Sequence, residues 1–215
     1  MSTSYELIYF GVHGRAEPIR LLLTLAGRSW KAVDVARDQW GAMKPRMPLG
    51  QMPVLVEHDD AGSRTIPQSQ AILRHLARTL GLAGHTEAET LAADVAAETA
   101  LDAGSGYGAL LYGAGRGDRA AWEKHFTEVW PVHGKRLAAL LERAPDPAGF
   151  FAGTAPTWGD LVAFQVLHAT QAMWPTSLDA FPTLKGFHDR VAALPALRSY
   201  LAARPAHEGV AARPA

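Results

Sequence analysis

The sequence predicts an α/β domain with a mixed sheet over residues 1–80 and an all-α helical domain over 87–205. A linker at 81–86 joins them, and a loose tail follows at 206–215. Three observations carry this reading. Up to about residue 80, short apolar runs with strand character alternate with runs of helical period. Beyond that point helical runs follow one another with no strand pattern between them. The stretch Gly81-Leu82-Ala83-Gly84-His85 marks the change of pattern. At 215 residues and 48% hydrophobic content the chain has enough apolar surface for one large core or two modest ones.

Glu6-Leu7-Ile8-Tyr9-Phe10 reads as a buried strand bounded by Gly11. Pro18 stands in the first turn of a helical run through Ile19, Leu22, Leu23 and Leu25, with Gly27 as its C′ stop. Trp30 to Val35 alternates as a second strand. Pro53 to Glu57 and Ser63 to Ile66 flank the hairpin turn Asp59-Asp60-Ala61-Gly62. A helix from Gln68 to about Leu80 presents Ile72, Leu73 and Leu76. The order β-α-β-α-β-β-α is that of a thioredoxin-like domain. In the second half, helical runs cover roughly 86–111, 119–143, 157–172 and 183–203. Pro131 should kink or split the second of these. Thr157 and Asp160 stand at capping-box spacing, a folding signal.

Composition narrows the function classes. Lys plus Arg equals Asp plus Glu at 21 each, which leaves no electrostatic footprint for nucleic acid or an anionic membrane. Cysteine is absent, so disulfides, cysteine-ligated zinc and a protein thiol nucleophile are excluded. Of the nine histidines, His125 and His133 come nearest to ligand spacing. Pro131 intervenes and no carboxylate completes a set, so no metal is expected. The first residues lack a basic or apolar leader, and no run approaches a membrane span, so a cytoplasmic location is expected. Heavy use of Ala, Arg, Gly and Pro resembles a GC-rich, bacterial composition.

Two segments point to a ligand. Gln51-Met52-Pro53-Val54-Leu55 opens a strand at a proline, which cannot donate a ladder hydrogen bond and so leaves an unpaired edge. Gln68-Ser69 opens a helix whose free N–H groups and dipole suit an anion. Together they fit the backbone and carboxylate of a small peptide. Ser69 also suits plain N-capping.

Leu7-Ile8-Tyr9-Phe10, Gly14-Arg15-Ala16-Glu17, Pro48 to Leu55, Gln68-Ser69 and Thr157 to Leu161 fall in one order along nearly the whole chain. With these five motifs the chain resembles the cytosolic glutathione transferases of the tyrosine type. It is most similar to their sigma class, which includes haematopoietic-type prostaglandin D synthase. The resemblance implies that the Tyr9 hydroxyl donates to the glutathione sulfur and that Arg15 adds positive potential there. It also implies that Trp40 and Lys44 contact the glycyl end, Lys44 through its charge. Gln51, Met52 and Pro53 would hold the cysteinyl unit, Met52 by its backbone beside a cis Met52–Pro53 bond. Gln68 and Ser69 would take the γ-glutamyl carboxylate, and Asp102 would reach the neighbouring subunit's γ-glutamyl ammonium in a homodimer. Read without that context, Tyr9 is a strand-end packing aromatic and Arg15 pairs with Glu17 at the helix start.

Phe10, Val12, Gly104, Tyr107, Val162 and Val166 are the candidate lining of a pocket for a small hydrophobic electrophile, apolar with one phenolic handle. The run Gly104-Ser105-Gly106-Tyr107-Gly108-Ala109 departs from the family pattern. Its glycines either open space for a large co-substrate or kink the helix. The implied activity is conjugation of the glutathione thiolate to an electrophile, with glutathione as co-substrate and no metal. A glutathione-dependent isomerase is the alternative, and a non-enzymatic glutathione-binding protein ranks last.

Overall fold

A four-stranded sheet organises the first half of the chain in the computed structural model, which describes residues 3–146 and 149–214. The strands are β1 (Ser4–Tyr9), β2 (Trp30–Asp34), β3 (Val54–Asp59) and β4 (Gly62–Pro67), in spatial order β2-β1-β3-β4. β1 runs parallel to β2 and antiparallel to β3, and β3 is antiparallel to β4. The last rungs place Tyr9 opposite Asp34, Ile8 opposite Val54, and Val54 opposite Pro67. The ends of β1 and β4 and the start of β3 therefore share one edge. β3 is an interior strand, which corrects the expectation of a bare strand edge. What stays outside the ladder is the backbone of Gln51 and Met52, just before the strand begins.

Helices α1 (Glu17–Leu25) and α3 (Ser69–Thr79) pack on each other; Ile19, Leu21, Leu22 and Leu23 of the first are buried, as are Ile72, Leu73 and Leu76 of the second. Each of these side chains is fully buried. At about 1.5–3 kcal/mol for each large aliphatic side chain removed from water, their burial is a main source of stability for the sheet domain. Both helices stop at a glycine of positive φ. Gly27 sits at φ 64°, with Arg28 N–H donating to Leu23 O at 2.9 Å. Gly81 sits at φ 74°, with Leu82 N–H donating to Ala77 O at 2.8 Å. Gly81 and Leu82 thus finish α3, and the two units divide between Leu82 and Ala83. A single helical turn, α2 (Trp40–Met43), and a 3-10 turn at Lys44–Arg46 lie between β2 and β3.

The second unit is helical. α4 (Glu87–Gly104) opens with a capping box, Thr86 with Glu89, and buries a stripe of alanines: Ala93, Ala96, Ala97, Ala100 and Ala103. These small side chains let α8 (Trp158–Met173) approach closely. A Cβ added at Gly159 of α8 would stand 2.2 Å from the Ala93 carbonyl oxygen. The start of α8 is closed by Asp160, which is fully buried. Its carboxylate accepts from Thr157 N–H at 2.7 Å, the Thr157 hydroxyl at 2.7 Å and Phe151 N–H at 2.9 Å. Burial pushes this carboxyl up from its ordinary range, and the three donors oppose that shift.

Prolines and glycines divide the remaining runs more finely than their periodicity predicts. The run after Thr86 breaks into α4 and α5 (Tyr107–Tyr112). The run 119–143 becomes α6 (Arg119–Lys124), a π turn over His125–Val129, and α7 (Trp130–Glu142). Pro131 lies in the first turn of α7, as its missing N–H requires. The run 183–203, read as one helix, is two: α9 (Pro182–Ala192) and α10 (Pro195–Ala203). Leu194, ahead of Pro195, takes ψ 123° because the proline ring excludes the helical conformation there. The expected loose tail also departs from expectation, since it contains α11 (Glu208–Ala212). The Tyr112 hydroxyl donates to Glu208 at 2.7 Å, and Arg213 donates twice to Ala172 O at the end of α8.

Candidate functional site

The shared edge of the sheet forms one wall of a cavity of about 250 Å³ in the first unit. The residues on it come from separate elements. Phe10 and Arg15 follow β1, while Trp40 and Lys44 belong to α2 and the turn after it. Gln51, Met52 and Pro53 lead into β3, and Gln68 and Ser69 begin α3. Sheet topology therefore brings together residues up to 59 positions apart in the chain. The Met52–Pro53 bond is cis, and Gly50 beside it has φ 60°. Two cationic side chains line this cavity, Arg15 and Lys44, with no carboxylate among its described lining residues.

Tyr9, the last residue of β1, is not among the described lining residues of this cavity but adjoins one of them, Arg15. Its hydroxyl oxygen accepts a hydrogen bond from the Arg15 backbone N–H at 3.2 Å. With the oxygen engaged as acceptor, the phenolic proton is directed to another partner. The approach depends on Gly14, which has φ 42°; a Cβ there would lie 2.6 Å from the Tyr9 hydroxyl. A 3-10 turn over Gly14–Ala16 carries the chain from this contact into α1.

Two residues that the sequence reading did not single out hold this loop. Glu17 and Arg20, both buried, form an ion pair of 3.0 Å. Arg20 also donates to the carbonyls of Val12 at 2.9 Å and Phe10 at 3.4 Å. The expected Arg15–Glu17 pair is therefore replaced. Glu17 serves Arg20 inside the fold, and Arg15 is exposed at the cavity. The available signal was Glu17 and Arg20 at i,i+3 within the strongly apolar run Pro18 to Leu23.

Gln68 precedes α3 at φ 73° and ψ 107°, a conformation that non-glycine residues rarely take. No side chain caps this helix, so Ser69 is its first residue and not the N-cap. The first intrahelical bond is Ile72 N–H to Gln68 O at 2.9 Å. The amides before it face the cavity end of α3 without a helical acceptor, an arrangement suited to a carboxylate. Trp40 packs edge-on against Phe10 with ring centroids 5.8 Å apart, and the Lys44 stem passes 3.7 Å from the position of a Gly50 Cβ.

Of the candidate electrophile residues, Phe10 lines the cavity, whereas Val12 is half-buried in the loop held by Arg20. Gly104, Tyr107, Val162 and Val166 belong to the second unit. There a Cβ at Gly104 would meet Val166 at 3.4 Å, and one at Gly106 would meet His125 at 2.9 Å. The helix breaks between these two glycines, as the kink reading expects, and a Cβ at Gly106 has no room, whereas one at Gly108 meets nothing within 4 Å, so open space is found at Gly108. Val162 is fully buried, and the Tyr107 hydroxyl is tied to Thr170 in the interior. Burial drives the Tyr107 pKa upward. The phenolic handle expected for a ligand is thus engaged within the protein. Asp102 is exposed on α4.

Comparison with known proteins agrees with this geometry. Residues 5–78 match the family model "Glutathione S-transferase, N-terminal domain", and residues 102–204 match "Glutathione S-transferase, C-terminal domain". The chain is 36% identical to "Glutathione S-transferase P" of Caenorhabditis elegans, over 94% of this chain and 93% of that protein. The sigma-class transferase of Fasciola hepatica superposes with a TM-score of 0.88 at 30% identity, covering 96% of this chain and 99% of that one. The pi-class transferase of Onchocerca volvulus does so with a TM-score of 0.85 at 32% identity, covering 93% of each. None of the three is bacterial, so the compositional expectation of a bacterial source gains no support from them.

Proposed function

The chain belongs to the glutathione S-transferase family, and on that premise we propose how its residues hold glutathione and activate the sulfur. As a transferase it joins glutathione to a second substrate. The γ-glutamyl carboxylate lies at the uncapped start of α3, at Gln68 and Ser69. The cysteinyl unit pairs with the Met52 backbone beside Gln51 and Pro53, and the glycyl carboxylate meets Lys44 and Trp40. This places the sulfur at the Tyr9 hydroxyl with Arg15 close by.

A thiol with a pKa of about 8.5 is mostly protonated at neutral pH, and each unit of depression needs about 1.4 kcal/mol. One charge-assisted hydrogen bond of about 1.5–3 kcal/mol from Tyr9 supplies one to two such units. The thiolate then attacks an electrophile held beside it, and approximation of the two substrates contributes much of the acceleration. The observation that carries this reading is the Arg15 N–H to Tyr9 contact, which leaves the phenolic proton to the sulfur.

The class is proposed as sigma-like on the strength of the Fasciola hepatica structure. The glutathione site falls in the unit ending at Leu82, and the helical unit is the proposed carrier of the remaining electrophile contacts. A homodimer is proposed because α4 exposes Leu91 and Val95, four residues apart on the helix that carries Asp102. In that dimer Asp102 serves the partner's glutathione. No helix of the described residues is long and apolar enough to cross a membrane, and a cytoplasmic location is proposed.

The test is Tyr9→Phe assayed with 1-chloro-2,4-dinitrobenzene. Turnover is expected to fall about ten- to a hundredfold while glutathione affinity changes little. Undiminished turnover would sink the assignment of Tyr9.

A further inference from the structure

A buried carboxylate fastens α3 to the sheet. Glu57 of β3 stands opposite Tyr5 of β1 and Arg64 of β4 and is buried, an uncommon place for a carboxylate. Its Oε2 accepts from Arg64 through Nε at 3.2 Å and through a terminal NH2 group. The same oxygen lies 3.1 Å from Nε2 of His75, on α3. Paired with Arg64, the carboxylate only accepts, so His75 Nε2 carries a proton and donates it to the contact. One oxygen thus ties β3, β4 and α3 together. None of these three residues is among the described lining residues of the cavity.

The way α3 begins makes this tie matter to the site. β4 ends at Pro67 and α3 starts at Ser69, so Gln68 alone joins them, at φ 73°. A residue with a side chain keeps that conformation only where the structure on both sides fixes it. On the strand side Pro67 is paired opposite Val54. On the helix side the buried Ile72, Leu73 and Leu76 supply attraction without direction, which tolerates a small slide along the axis. The hydrogen bond from His75 is directional and stops that slide. His75 lies six residues beyond Ser69, about 9 Å along the same helix.

We propose that Glu57 and His75 are positioning residues for glutathione: they hold α3 against the strain at Gln68 and so keep the amides at its start where the γ-glutamyl carboxylate lies. The proposal rests on the glutathione reading given above. Tyr9 and Arg15, which serve the sulfur in that reading, belong to β1 and the turn before α1. Loss of the tie therefore acts on the γ-glutamyl end.

The test compares glutathione with cysteinylglycine, the same thiol without its γ-glutamyl group, each reacting with 1-chloro-2,4-dinitrobenzene. In both, the sulfur attacks the ring carbon that bears chlorine. A C–S bond forms, the C–Cl bond breaks, chloride leaves with the bonding pair, and the thiol proton passes to solvent. The quantity read is the ratio of kcat/KM, glutathione over cysteinylglycine, for the full-length protein and for His75→Phe, His75→Gln and Arg64→Met. Both thiols report on the same folded molecules, so a plain loss of stability cancels in the ratio. Phenylalanine keeps a ring and removes the donor, while Glu57 keeps Arg64 and is not left as an unpaired buried charge. Glutamine keeps an N–H donor at similar reach.

The ratio is expected to fall about three- to tenfold in His75→Phe and to return to within about twofold of its original value in His75→Gln. The fall should come from KM for glutathione, with kcat at saturating glutathione little changed. Arg64 is exposed, so Arg64→Met spares the core; it should lower the ratio in the same direction, and it decides the matter if His75→Phe does not fold. An unchanged ratio in the variant so read, or an equal fall in His75→Gln, overturns the proposal. An unsubstituted protein with no preference for glutathione over cysteinylglycine would instead overturn the placement of the γ-glutamyl group on which it rests.

Discussion

Replacing Gly14 with alanine tests how the first unit holds the Tyr9 hydroxyl proposed to serve the sulfur. A Cβ at this position would lie 2.6 Å from the Tyr9 hydroxyl and 3.0 Å from Cε1 of the same ring. Ordinary contact for such atoms begins near about 3.5 Å, so the hydroxyl must retreat by roughly 0.9 Å or the loop must open. The backbone opposes the change as well, because φ is 42° and a left-handed residue with a Cβ costs about 1–2 kcal/mol. The variant should therefore lose about 1–2 kcal/mol of stability, read by urea unfolding. It should also lose most of the proposed hydrogen bond to the sulfur, about 1.5–3 kcal/mol, which lowers kcat/KM with 1-chloro-2,4-dinitrobenzene about ten- to a hundredfold. The pH profile of kcat/KM should shift upward, since the thiolate loses its donor. The double variant Gly14→Ala/Tyr9→Phe separates this route from general damage. If the alanine acts through the hydroxyl, it adds little to the loss already caused by Tyr9→Phe. Turnover losses that add in full, or normal turnover in Gly14→Ala alone, would refute the reasoning.

Gln68→Gly should stabilise the fold by up to about 1 kcal/mol, by relieving a φ of 73° at a residue that no side-chain cap supports. The same change should weaken glutathione binding, measured by calorimetry, because the cavity-facing side chain is lost and the amide becomes mobile; tighter binding would contradict the proposed role. The second unit should lose stability in acid. Burial lowers the His188 pKa from its ordinary 6.5, with Asp189 opposing and Arg204 reinforcing that shift. Its ring stacks on Phe164 at 4.9 Å and lies 3.4 Å from the nearest His168 nitrogen. Because the folded pKa is depressed, its contribution is present above about pH 6.5 and lost as pH falls, with a slope of at most about 1.4 kcal/mol per pH unit. His188→Phe, which keeps the stack, should flatten the fall in melting temperature between pH 7 and 5, and equal slopes would refute this.

Much of the sheet unit was legible because its signals are local. Pro18 and Gly27 bound α1 and Asp59 to Gly62 turn the hairpin; in the helical unit the same holds for Thr157 with Asp160, which opens α8 through its own side chains. Each depends on neighbours within about five residues, where propensity and hydrogen bonding act directly. The helical unit was less legible. The breaks at Gly104–Gly106 and at Pro195 fall inside runs whose apolar period continues across them, so periodicity alone joined what proline and packing divide. α11 was read as tail because five residues carry little periodic signal. It is held by Tyr112, 96 positions away from its partner Glu208, and by Arg213 on the end of α8.

The candidate site divides in the same way. Sequence by itself supplied the candidate residues, through the motifs that carry the family resemblance: Tyr9 and Arg15, the Met52–Pro53 segment expected to be cis, and the Gln68-Ser69 helix start. Only the tertiary structure decided how they act together. Which edge of the sheet collects them follows from strand order and direction, and the pairing of Glu17 with Arg20 in place of Arg15 follows from burial. An ion pair shielded from water keeps far more of its attraction than one at the surface, so Glu17 goes to the partner inside the fold. That choice leaves Arg15 at the cavity, where its backbone N–H holds the oxygen of Tyr9.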